Sequence, residues 1–173
     1  NLLMAITYIG GGTDYDQAVD SADLTIALPG GYQAGDVAIL SITECLTTLS
    51  VIEPASGWTM EREDSTATLD DRETSIMYRV LTGSETDPVA IAVDETNTIN
   101  SPAFVNRSAN LMVFRGVDTA NPIDVISLVQ GTGSNPNPAA VTTTSDDAGL
   151  IIWNFPTRDR VTTEGLPASP TGL

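Results

Sequence analysis

Gly35-Asp36-Val37-Ala38-Ile39-Leu40-Ser41-Ile42 is the stretch that decides the fold. An acidic turn launches a short apolar, β-branched run, which suits a buried strand and is too brief for a helix. Upstream, Leu24–Leu28 stops at Pro29-Gly30-Gly31, and before it Ala5–Ile9 is closed by Gly10-Gly11-Gly12. Downstream come Leu46–Ile52, then Trp58–Arg62 after a Pro54-Ala55-Ser56-Gly57 turn, and Thr74–Leu81 beyond the polar, acidic Glu63–Asp71 loop.

The second half repeats the manner. Val89–Val93, Ala109–Arg115, Ile123–Val129, Ala140–Thr144 and Gly149–Phe155 each read as strands, with the Gly-, Asn- and Pro-rich Gly131–Pro138 as a surface loop. Nowhere does an apolar stripe recur at helical spacing, and Asp14–Ala22 offers at most one helical turn. Roughly ten short strands without helical crossovers predict an all-β chain: an antiparallel, jelly-roll-like β-sandwich with little or no helix. Residues 1–22 are expected to form an N-terminal strand and a flexible Gly/Asp-rich arm, and residues 23–173 the sandwich domain.

Composition bounds the chemistry. The 173 residues include no histidine and no lysine, one cysteine (Cys45), 23 acidic residues and 7 arginines, for a formal charge of -16. Without histidine or lysine the usual groups for acid–base, Schiff-base and phosphate chemistry near neutral pH are missing. The negative balance opposes nucleic-acid backbones and anionic lipid surfaces, so neither is an expected partner. Lone Cys45 cannot form an internal disulfide and reads as a buried strand residue. No apolar stretch reaches membrane-spanning length, and no secretory signal is visible; Met4 reads as a natural start.

A faint internal echo links the two halves. Asp36 to Leu40 leads to the Pro54-Ala55-Ser56 corner, and Asp147-Ala148-Gly149-Leu150-Ile151-Ile152 leads to Pro167-Ala168-Ser169. After the second corner the sequence stops at Leu173, so either further strands follow or the open edge is covered by another chain.

The order of landmarks resembles a widespread family. These are Gly35 to Leu40, Pro54 to Thr59, Tyr78-Arg79-Val80-Leu81-Thr82-Gly83, Phe114-Arg115-Gly116-Val117-Asp118, Asn121-Pro122-Ile123-Asp124 and Val141 to Ser145. Together they resemble virion structural β-sandwich proteins of tailed bacteriophages and prophages, of the decoration, fibre or tail-associated type, over about Asp23 to Phe155. The resemblance implies a sandwich fold and a place on the surface of a virus particle, with other virion proteins and copies of the same chain as partners. Its motifs are turn and core signatures, so it implies no catalytic residue.

Candidate sites read as follows. The acidic groups, Asp14, Asp16, Asp20 and Asp23, then Glu63, Asp64, Asp70, Asp71 and Glu73, then Asp146 and Asp147, match no Asp-rich calcium loop and read as solvated surface. No metal or other cofactor is expected. Trp58, Tyr78, Phe114 and Trp153 lie within or beside strand runs and read as core. Tyr15 and Tyr32 stand in loops and read as interface anchors. The attachment surface is expected at Ala5, Ile6, Tyr8 and Ile9, with Gly10–Gly12 as a hinge. The chain thus reads as a non-enzymatic subunit that decorates a phage capsid or tail. The alternatives are an adhesin or fibre domain that binds a host glycan, and a self-assembling extracellular filament subunit.

Overall fold

The computed structural model describes residues 5–16, 24–45, 57–66, 72–85, 89–91, 106–127 and 141–144. Among them are seven strands and no helix: β1 (Thr7–Asp16), β2 (Leu24–Ile26), β3 (Val37–Cys45), β4 (Thr59–Thr66), β5 (Arg72–Val80), β6 (Val89–Ile91) and β7 (Asn106–Arg115). Five form one sheet in the order β1-β7-β3-β5-β4, and β2 pairs with β6 separately. Every pairing is antiparallel.

β3 is the centre of this sheet, and its register explains why the deciding stretch is apolar without a break. Ala38, Leu40 and Ile42 meet Val113, Leu111 and Ala109 of β7, and Leu40 also meets Met77 of β5. Their side chains share one buried cluster with Ile26, Leu28 and Trp58. The alternate residues Val37 and Ile39 point to the other face, into a second cluster with Ile76 and Phe114. Because both faces are covered, alternation between apolar and polar residues disappears along β3. Further along that second face the strip turns polar, and Thr43 Oγ1 lies 3.2 Å from Thr74 Oγ1.

Several expectations need correction. The glycines do not end the first strand, because β1 runs through Gly10-Gly11-Gly12 to Asp16 and pairs with β7 throughout, with one bulge between Tyr8 and Gly10. The reason is close approach: a Cβ on Gly12 would sit 2.7 Å from Ile26 Cγ2, and one on Gly10 2.6 Å from Pro29 Cβ. Glycine lets the segment after β2 lie directly on β1. The one helical turn expected from Asp14 is likewise strand as far as Asp16, and residues 17–22 lie outside the described ones.

The acidic loop expected at Glu63–Asp71 is shorter than anticipated, since β4 extends to Thr66 and β5 begins at Arg72. The strands expected at Ile123–Val129 and Ala140–Thr144 are irregular where described, at 123–127 and 141–144. Ile123 and Ile126 reach down to the second cluster while Asp124 and Val125 are exposed. That spacing of three is a covering loop held by its own contacts, where a strand would alternate at two. The expected strands Leu46–Ile52 and Gly149–Phe155 lie outside the described residues, as does Trp153. Trp58 and Phe114 are buried as expected.

Candidate functional site

Three of the landmark motifs meet at one corner of the sheet. Asp36, 2% exposed, precedes β3, and Arg115 ends β7. Arg115 Nε donates to Asp36 Oδ1 and Nη2 to Oδ2, each at 2.8 Å, and Nη2 also donates to the Gly31 carbonyl at 3.0 Å. The Gln33 amide donates to the same carboxylate at 2.8 Å. The third motif enters through the backbone: the Leu81 amide donates to the Asp36 carbonyl and the Gly35 amide to the Leu81 carbonyl, both at 2.8 Å. The Arg115 hydrogen bonds hold the Asp36 carboxyl below its ordinary value of 3.8; burial works against them, and the Gln33 amide and the Arg115 charge add to them.

A second saturated carboxylate stands nearby. Burial of Glu85 raises its pKa, yet donors from Thr82 and Gly83 outweigh this and leave it lowered. Thr82 Oγ1 donates at 2.8 Å and the Gly83 amide at 3.0 Å, with Arg79 Nη2 3.8 Å away. Asp118, exposed in the loop after β7, is lowered by the Ala120 amide and Asn121. A general acid or base needs a pKa near the working pH and a free proton site. These three carboxylates have neither, so the corner holds strands together and does no proton chemistry. Among the described residues no group of three or more His, Cys, Asp or Glu could hold a metal ion, and no helix is long and apolar enough to cross a membrane.

The expected attachment residues divide between the two faces. Ala5 is exposed just before β1. Ile6 is half-buried against the second cluster, whereas Ile9 and Tyr32 are half-buried against the first. Tyr32 therefore packs on the core, which corrects its reading as a freely exposed loop anchor. Tyr8 is 42% exposed, its ring tilted by 49° on Phe114 with centroids 5.5 Å apart. Tyr15 belongs to β1 opposite Ser108, so its backbone is strand where a loop was expected, and its side chain lies outside the described ones. The structure thus brings Ala5, Ile6 and Tyr8 together and sets Ile9 and Tyr32 on the opposite face.

β1 is an edge strand, and among the described residues no strand pairs with its outer side. Sequence reasoning missed two surface residues, Val125 and Val141, which are 36% and 40% exposed. Both fell in runs read as strands, and apolar residues in a strand reading are assigned inward. The sequence held no signal for the covering loop beyond Asn121-Pro122. Comparison of the chain with protein-family models, with curated proteins and with solved structures finds no match.

Proposed function

We propose that this chain is a structural virion protein on the outside of a phage capsid or tail, working by symmetric protein–protein assembly. In this reading the five-stranded sheet and the β2–β6 pair are the two layers of a jelly-roll-like antiparallel sandwich, completed by strands from residues outside the described ones. The observation that carries it is the corner at Asp36 and Arg115. The motifs that drew the comparison with phage virion proteins converge there, and each is consumed by strand-to-strand bonds. A building block needs such rigid corners, and affinity for neighbours is then its whole task. The charge of -16 suits an exterior subunit, since it repels packaged nucleic acid and keeps particles apart.

No specific observation favours the glycan-binding reading: Tyr32 packs on the core and Tyr8 leans on Phe114. Gold-labelled antibody against the chain, applied to intact purified virions, tests the proposal. Regular labelling of capsid or tail supports it. Unlabelled virions, or turnover of a substrate by the isolated chain, defeats it.

A further inference from the structure

Exposed apolar side chains are unremarkable when scattered singly, but a gathered set marks an interaction surface. The large hydrophobic side chains exposed among the described residues are Tyr8, Val125 and Val141. All three belong to the cover of one face. Tyr8 rests on Phe114 of the second cluster. Val125 stands between Ile123 and Ile126, which pack on that cluster. Val141 is brought to the same loop because Asp124 accepts hydrogen bonds from the Thr144 amide, at 2.8 Å, and from Thr144 Oγ1. The first cluster carries no such exposed set. Ile6, half-buried beside Tyr8, continues the apolar surface toward the chain start.

The charge around this surface has one sign. Within 116–127 the charged residues are Asp118 and Asp124, both exposed. Asp118 is held ionised by the Ala120 amide and Asn121. The adjoining cation, Arg115, is taken up by Asp36. A second copy laid face to face would set the same carboxylates against each other, in a molecule already carrying -16. A partner with an apolar centre and an Arg- or Lys-bearing rim meets no such penalty.

We infer that the face formed by Tyr8, Val125 and Val141 docks a different protein, one whose surface is apolar at its centre and basic at its rim. The inference rests on the attachment role proposed above and names the face and the partner chemistry. Contact at the centre supplies affinity by burying the three side chains, and the acidic rim supplies steering and orientation.

Photo-crosslinking in the native host tests it. A benzoylphenylalanine replaces Tyr8 or Val125 in the full chain, with Gln33, exposed on another part of the surface, as the control position. Crosslinked peptides are identified by mass spectrometry. The expected result is that positions 8 and 125 reach the same foreign protein beside its Arg or Lys residues, that the yield falls several-fold in high salt, and that position 33 does not reach it. Y8D in the position-125 probe, and V125D in the position-8 probe, should each abolish the crosslink while leaving the melting temperature unchanged. Crosslinks to a second copy, to a glycan, to an acidic surface, equally from position 33, or to nothing overturn the inference. If the partner is foreign and basic-rimmed but not a virion protein, the docking face stands and the virion reading fails.

Discussion

Arg115 grips Asp36 through two parallel hydrogen bonds of 2.8 Å across 79 positions of sequence. The planar fork of a guanidinium matches a carboxylate in this way and lysine cannot copy it. The pair joins the ends of β3 and β7, which are neighbours in the sheet, and pins the Gly31–Asp36 turn over them.

Removing the carboxylate should therefore loosen the whole corner. D36A is expected to lower unfolding stability by about 2 kcal/mol, a value discounted for the solvent-exposed side of the guanidinium. R115K should recover little of what R115A loses, because a single ammonium replaces the fork. In urea titrations the second substitution should cost much less in the background of the first; independent, additive losses would show that the two residues do not act as a pair.

Acid sensitivity follows from the same contact. The Asp36 pKa in the folded chain lies below its ordinary value of 3.8, mainly through Arg115. The carboxylate therefore adds stability that is fully present above that ordinary value and is lost as pH falls toward the folded one. Glu85 and Asp118 are also lowered and act in the same direction. Between pH 5 and pH 3 the wild type should lose more stability than D36N, whose curve is flatter without becoming level. Parallel curves for the two proteins would remove Asp36 from the acid response.

Glycine at position 12 is required by contact. A side chain there meets Ile26 Cγ2 at 2.7 Å and the Ala27 carbonyl at 3.0 Å, so G12V should cost on the order of 1–3 kcal/mol by overpacking. Gly30 has nothing within 4 Å of the corresponding position, and G30A should be neutral. Thermal melts of the two variants separate a packed strand from a flexible hinge, because a hinge would tolerate both.

Ser75 is fully buried, and its Oγ finds no hydrogen-bond partner in the structure. Burying a hydroxyl without a partner is unfavourable, so S75A should be neutral or stabilising by up to about 1 kcal/mol. A clear loss of stability in the same melts would mean that the hydroxyl is satisfied after all.

The strands that read most easily were those with turn formers on both sides. Asp36 to Ile42, Thr74 to Leu81 and Ala109 to Arg115 all fall within or across β3, β5 and β7. Their β-branched runs are bounded on the chain itself, so local chemistry suffices. The course of Gly10–Gly12 was hidden because glycine's meaning in a strand depends on what lies above it, here Ile26 and Pro29, residues remote in sequence. Val125 was hidden for a related reason: Ile123, Val125 and Ile126 look alike as residue types, and only the loop's path over Phe114 sorts the buried from the exposed. Tyr8 was legible as surface, whereas Tyr32 was not, since its packing depends on the first cluster assembled from distant strands.

The most direct test of the structural-subunit reading is a cryo-EM reconstruction of the intact virion. The expected map shows the chain at symmetry-related exterior positions on capsid or tail, with the Tyr8 and Val125 face against a neighbouring protein. A complete, well-resolved particle with no density for this chain would contradict the reading.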